Sequence, residues 1–249
     1  MSATGRLFLV PAWLAEDTPP EHAVPAAALG RIRALEHFVV EDAKSARRYL
    51  AACGHPKPMR DLVFAELNEH TPPGAVPALL DPALAGHDIG LLSEAGLPAV
   101  ADPGALLVAQ AHARGIAVAP LVGPSSILLA LMASGLEGQR FRFHGYLPTD
   151  PAARRARLAE LERDSAKASE TQIFIETPYR NDGLLADVLQ SCRNATRLAV
   201  AADLTGPTEW IRMDAVAGWR DRPAAIGKRP AIFLLQADGG QTPISAKSK

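Results

Sequence analysis

The sequence predicts an α/β protein made of two α/β domains. Three observations predict it. A chain of 249 residues accommodates two ordinary domains of roughly 120 residues each. Short β-type apolar runs alternate along it with segments whose apolar residues recur every three or four positions. That alternation is interrupted once, by Val122-Gly123-Pro124-Ser125-Ser126 and an almost wholly apolar helix after it. Strand–helix–strand alternation implies a largely parallel sheet covered on both faces.

Taken in order, Arg6–Val10 reads as the first strand, Ala26–His37 as a helix, Phe38–Val40 as a strand and Ala43–Cys53 as a helix. Ile89–Leu92 and Ile116–Val118 read as further strands. Leu106–Arg114 is the helix between them, stopped by Gly115 at the position where a left-handed backbone ends helices. The linking helix Ile127–Met132 is apolar nearly all round, which requires cover on both sides, and Gly135 stops it. The second half begins with the alternating Phe141–Leu147 strand and the charged helix Ala152–Ser165. Strands Thr171–Ile175 and Leu198–Ala201 flank a helix over Asn181–Cys192, and Trp210–Met213 and Ala231–Leu235 complete the set. The last two lie close in sequence and are expected to be antiparallel to a neighbour. The domains are therefore expected at 1–121 and 122–238, with 239–249 a flexible polar tail.

Composition excludes several classes. Lys and Arg number 26 against 27 Asp and Glu, a net charge of −1, so there is no global basic surplus to hold nucleic acid. Any basic footprint must be local. The cluster Arg154-Arg155-Ala156-Arg157, with Lys167 beyond, sits among Glu160, Glu162 and Asp164. It reads as i,i+3 and i,i+4 pairing on a solvated helix rather than a phosphate-binding face. Two cysteines, Cys53 and Cys192, form no C-x-x-C pair and read as buried free thiols, with no metal site. No stretch escapes charge, Pro and Gly long enough to cross a bilayer, and the first residues make no signal peptide; the expected location is cytoplasmic.

The densest chemistry lies in Leu91-Leu-Ser-Glu-Ala-Gly-Leu-Pro-Ala-Val-Ala-Asp-Pro-Gly104. A buried strand opens into a loop that combines Gly96 and Gly104, which let a ligand approach backbone, with the polar Ser93, Glu94 and Asp102. Ligand crevices of parallel sheets lie beyond the carboxyl ends of the strands, where this loop falls. A zwitterionic aminoacyl tail needs this mixture of acceptors and N–H donors; an ordinary surface βα loop has the same composition, and on local chemistry both readings stand. Ser125 reads as a helix N-cap, and a helix N-terminus can also receive an anionic or hydroxyl-rich ligand. Capping leaves Ser126 unexplained.

As an ordered set these pieces resemble the tetrapyrrole methylase family. Ser93–Gly104, Gly115-Ile-Ala-Val118, Gly123–Ser126 and Ala133-Ser-Gly-Leu136 match its motifs, joined by Glu41-Asp42 with Ala46–Leu50, Gly145-Tyr-Leu-Pro148 and Ile175-Glu-Thr-Pro-Tyr-Arg180. The resemblance runs from about Leu7 to about Leu235, toward the branch that methylates a ribose 2′-hydroxyl of small-subunit ribosomal RNA. It implies S-adenosylmethionine as cofactor, held in a cleft between two α/β domains. By position, Ser93, Glu94, Ala95 and Gly96 would line its methionine and ribose side. Asp102 and Gly104 would shape the wall, Ser125 and Ser126 would face it from the linker, and Glu176 and Thr177 would lie near the adenine. The resemblance also implies a homodimer, with structured RNA or a ribosomal subunit as partner.

Departures from the branch are specific. The first loop, Val10-Pro-Ala-Trp-Leu-Ala15, lacks the family's glycine, and Trp13 is expected to take up space that substrate or backbone would use. Glu94 stands for Asp, Asp203-Leu-Thr-Gly206 for Glu-Leu-Thr-Lys, and the branch's extra C-terminal segment has no counterpart, which reads as a shorter relative. The expected function is methyl transfer to RNA. A tetrapyrrole or other small-molecule acceptor, or a cofactor-binding relative without turnover, are the alternatives. Glu94, Asp42 and His144 suit a general base by residue type alone, so no catalytic residue is assigned.

Overall fold

The computed structural model describes residues 4–238 and resolves two compact units. One comprises the chain up to Ser125 with Thr205–Pro207; the other comprises Ser126–Leu204 and the chain from Thr208. The expected tail at 239–249 lies outside the described residues.

The first unit is a parallel sheet. Its elements are β1 (Leu7–Val10), α1 (Ala26–Ala34), β2 (His37–Val40), α2 (Ala43–Ala52), β3 (Val63–Glu66), α3 (Asp81–Leu84), β4 (Ile89–Leu92), α4 (Gly104–Ala113) and β5 (Val118–Pro120). The strand order is β3-β2-β4-β1-β5, every pair parallel. Alternate side chains enter opposite cores. Phe8, Val10, Phe38 and Val40 pack with α1 and α2 residues such as Ile32 and Leu50. Leu7, Val39, Ile89 and Leu91 pack with Leu80, Ala83, Leu107 and Ala111 on the other face. Both faces are covered, as expected for a parallel sheet.

Three differences from the sequence reading have physical causes. β3 was not expected: Val63-Phe-Ala65 is apolar, but the strand has only four residues, lies at the sheet edge and holds no fully buried side chain. β5 falls two residues later than Ile116–Val118; Leu7 pairs with Val118, and the strand ends in Pro120, which an edge position tolerates. The first helix stops at Ala34, because Leu35 is already extended and β2 begins at His37.

The second unit holds α5 (Ser126–Ser134), β6 (Phe141–Tyr146), α6 (Pro151–Ala168), β7 (Thr171–Ile175), α7 (Asn181–Ser191), β8 (Arg197–Ala202), β9 (Trp210–Ala215), α8 (Val216–Asp221) and β10 (Ala231–Gln236). Its sheet order is β6-β7-β10-β8-β9. β6 and β7 run parallel; β10 is antiparallel to β7 and β8, and β9 to β8. Phe174 and Phe233 stack at 5.9 Å in its core, and the buried Trp219 donates Nε1–H to the Leu198 carbonyl at 2.9 Å. α6 is longer than expected at both ends: Asp150 caps it by accepting from the Ala153 N–H at 2.8 Å, and Ser169 ends it in the left-handed region. α5 is not covered all round. It buries Ala130, Leu131 and Ser134, but Leu128 is 47% and Met132 79% exposed, so its outer apolar face meets solvent in the single chain.

Candidate functional site

The first sheet has a topological switch point. β1 leads through α1 to β2, passing over β4, whereas β4 leads through α4 to β5, passing over β1. Two adjacent strands thus send their connections in opposite directions, and the loops after them part to leave a crevice. Val10 pairs with Leu92, and Leu92 with Val40, so Pro11–Leu14, Glu41–Asp42 and Ser93–Gly104 leave the sheet at one level.

The loops are tied together mainly by backbone. The Ala12 N–H donates to the Gly96 carbonyl at 2.8 Å, and the Tyr49 hydroxyl to the Pro11 carbonyl at 2.6 Å. The Glu41 N–H donates to the Leu92 carbonyl, and Glu41 Oε2 accepts from the Glu94 N–H at 3.3 Å. Trp13 does not occupy open space at the site: it is 8% exposed and packs edge-on against Tyr49 at 5.3 Å within the core. Aromatic packing therefore holds a first loop that has no glycine.

Ser93–Gly104 is a constrained loop. Asp102 organises its second half: Oδ1 accepts from the Ala99 N–H at 2.9 Å and from the Gly104 N–H at 2.7 Å. Ala99 (φ 66°) and Ala101 (φ 63°) occupy the left-handed region that costs L-residues about 1–2 kcal/mol each. Such strain persists only where surroundings impose it, and it gathers at binding sites. Gly96 is buried at φ 71°, whereas Glu94 and Ala95 are exposed, and Ser93 Oγ donates to the Ala95 carbonyl at 3.3 Å. A side chain on Gly104 would meet Asp102 Oδ1 at 2.8 Å and Leu91 at 2.9 Å, so it would displace the carboxylate that organises the loop or the buried Leu91.

Glu41 is the residue that sequence reasoning named without giving it a place. With Leu67, Leu91, Leu92, Ser93, Asp102, Pro103 and Gly104 it lines a cavity of about 10 Å³, the room of one water molecule. Partial burial raises its carboxyl above the ordinary glutamate range, and the charges of Glu94 and Asp102 act the same way, against the Glu94 N–H. Burial raises Asp102 too, despite the N–H groups that it accepts. The crevice end of β2 and β4 thus concentrates acidic oxygen, suited to an ammonium group and beside backbone donors.

The remaining expected positions belong to other elements. Ser125 directly precedes α5 and Ser126 opens it. Glu176 and Thr177 follow β7 in the second unit. The Glu176 carboxylate is fully buried; Oε1 accepts from the Thr177 N–H at 2.7 Å and from Arg180 Nε and Nη2 at 2.9 and 2.7 Å. Glu176 Oε2 lies 4.0 Å from Arg154 Nη1 and accepts no hydrogen bond.

Two of the three residues suited to a general base by type are committed to structure. Asp42 caps α2 through the Ser45 N–H at 2.7 Å, which with the Ser45 hydroxyl holds its carboxyl below the usual range. His144 lies on β6, bonded to Gln172 Oε1 at 2.6 Å, and burial lowers its imidazole. The basic cluster divides. Arg157 pairs with Glu160 at 2.9 Å on the helix surface as expected, but Arg154 is buried and shares Asp187 of α7 with Arg155, at 2.6 and 3.0 Å. Both cysteines are buried free thiols, pushed by burial to about 11 for Cys53 and about 12 for Cys192. Among the described residues, no group of three or more His, Cys, Asp or Glu could hold a metal ion, and no helix is long and apolar enough to cross a membrane.

Comparison with known proteins gives this geometry a family. Proteins named Ribosomal RNA small subunit methyltransferase I are similar to the chain. The one from Vibrio cholerae is 35% identical over 74% of this chain and 61% of its own length. That from Xylella fastidiosa (strain Temecula1) is 36% identical over 87% and 76%. That from Pseudomonas aeruginosa is 33% identical over 100% and 85%. Among solved structures, the methyltransferase CobJ superposes with a TM-score of 0.61 at 17% identity, covering 97% of this chain and 98% of that one. Uroporphyrin-III C-methyl transferase from Thermus thermophilus, complexed with S-adenyl homocysteine, gives 0.57 at 16% over 93% and 97%. At these identities the likeness is one of fold. The sequence profile of the tetrapyrrole (corrin/porphyrin) methylases matches residues 23–216, spanning the crevice loop and most of both sheets, and the chain belongs to that family.

Proposed function

We propose that this chain transfers the methyl group of S-adenosylmethionine to a ribose 2′-hydroxyl of small-subunit ribosomal RNA, in the cytoplasm and as a homodimer. The observation that carries the reading is the strained, acid-rich loop Ser93–Gly104 at the β1/β4 switch point, in a chain whose relatives are named for methylating that RNA. Ser93, Glu94, Ala95 and Gly96 hold the aminoacyl and ribose side of the cofactor, with Asp102 and Gly104 fixing the loop behind them. Ser125, Ser126, Glu176 and Thr177 complete the set; the side chains of the last pair already bond each other, so their contribution is through backbone. The cofactor supplies a methyl group already activated on a sulfonium.

What the protein must add is orientation, since in-line transfer depends on placing the nucleophile along the S–CH₃ axis. A loop tied by Ala12, Glu41 and Asp102 has little conformational freedom left to lose on binding. The exposed apolar face of α5, with Leu128 and Met132, supports the homodimer. Sedimentation at micromolar concentration should show two chains per particle, and a monomer alone would remove that part of the reading.

The central test is methyl transfer from labelled S-adenosylmethionine into small ribosomal subunits, purified ribosomal RNA and small-molecule extracts. Label at a ribose of the small-subunit RNA is expected. Label in a tetrapyrrole or another metabolite would replace the acceptor, and cofactor binding without any transfer would indicate a relative without turnover.

A further inference from the structure

The chain has three tyrosines. Tyr49 is buried, while Tyr146 is 61% and Tyr179 71% exposed. The two exposed rings belong to one end of the second sheet. Tyr146 is the last residue of β6, in register with Ile175, the last of β7; Tyr179 stands four residues further on, in the tight turn Pro178–Arg180. The β6/β7 register shifts between Phe143 and Tyr146, with Gly145 at φ 64°. Bulges of this kind re-aim side chains and collect beside functional sites.

Arg180 adds a third flat group. Its guanidinium carbon lies 5.6 Å from the centroid of the Tyr179 ring, and Tyr146 ends the strand beside the one that leads to this turn. Two hydrogen bonds to Glu176 Oε1 fix the plane, and the buried Glu176 is itself held by Thr177. The charge of Arg180 is met by that carboxylate, so this corner offers flat π surfaces rather than a free cation for phosphate. A tyrosine covers roughly 150–250 Å² when buried, and two open rings at one end of a sheet, one of them beside a fixed guanidinium, lose little entropy when something flat settles on them. Unstacked RNA bases are recognised on such surfaces, tyrosine faces and arginine planes together.

We propose that Tyr146, Tyr179 and Arg180 form a stacking platform for nucleobases of a single-stranded segment of the RNA substrate. The proposal rests on the RNA reading above. It assigns the platform to RNA rather than to the adenine of the cofactor, because two open rings and a guanidinium make more flat surface than one base covers.

The test uses the full chain and a single-stranded RNA octamer carrying 2-aminopurine, whose fluorescence falls on stacking. Tyr146→Ala and Tyr179→Ala should each weaken octamer binding by about tenfold or more and restore fluorescence. Tyr146→Phe and Tyr179→Phe should stay within about twofold of the parent, because the π face remains. The slope of log affinity against log salt should be unchanged, since no phosphate contact is lost, and S-adenosylhomocysteine affinity by calorimetry should be unchanged. Equal octamer binding by the alanine variants overturns the proposal. So does a parallel loss of S-adenosylhomocysteine affinity, which would give the rings to the cofactor's adenine. Transfer of label into small ribosomal subunits separates the two readings: transfer indifferent to both tyrosines removes the platform alone, whereas a parent that neither binds nor methylates RNA removes both.

Discussion

At Gly96 the backbone is held at φ 71°, with Leu14 and the Pro124 carbonyl only in ordinary contact range of an added Cβ. The requirement for glycine there comes from the dihedral, not from lack of space. Gly96→Ala is expected to destabilise the protein by about 1 kcal/mol and to weaken S-adenosylhomocysteine binding, both read by denaturation and calorimetry. Unchanged affinity would move the pocket away from this loop. Glu41 gives a pH signature. Its carboxyl is raised above 4.5, the ordinary glutamate value, so the folded state holds the proton more tightly than the unfolded chain does. Stability from this group is present below that value and is lost as pH rises through the folded value. Glu41→Gln should therefore raise the melting temperature at pH 8, and the advantage should shrink as pH falls toward 4.5. An equal difference at both ends would show that the carboxyl titrates normally.

Elements differed in how readily the sequence disclosed them. β4, β7 and β10 are buried along nearly their whole length, and the apolar runs Ile89–Leu92, Ile173–Ile175 and Ala231–Leu235 made their bounds legible almost to the residue. β3 and the proline-bearing turn Pro73–Leu80 were not, because a four-residue edge strand and a turn broken by proline are too short or too irregular to establish a period, apolar though both are. The crevice loop was legible as glycine, proline and acid after a buried strand. Glu41 was not, because its bond to Glu94 spans 53 residues and exists only once β2 and β4 are neighbours. Arg154 misled for a similar reason: a helix rich in charge reads as solvated, and only packing of α7 against α6 buries Arg154 with Asp187. Their side chains are 7% and 8% exposed, so removing one partner strands the other. Asp187→Ala should cost about 3 kcal/mol by urea denaturation. A loss under about 1 kcal/mol would mean that Glu176 or solvent takes over Arg154.

For the whole molecule, a net charge of −1 limits how RNA can be held. Few phosphates can be neutralised, so binding to naked RNA should be weak and its slope of log affinity against log salt shallower than about −3. Filter binding across a salt series measures this directly. A steep slope would reveal a folded basic face; specificity otherwise must come from shape or from an assembled particle.

The place of β10 has a consequence for how the chain is made. It lies between β7 and β8, with all six residues buried, and without it the second sheet is two separate ribbons, β6–β7 and β8–β9. Two-stranded ribbons are marginal alone. Chains emerge from the ribosome N-terminus first, so the first sheet has all its strands once Pro120 is out. The second lacks its middle until Ala231–Gln236 clears the exit. The two units therefore mature on different clocks. A nascent chain stalled short of Ala231 displays unpaired edges on both ribbons, the form in which chaperones or aggregation would meet it.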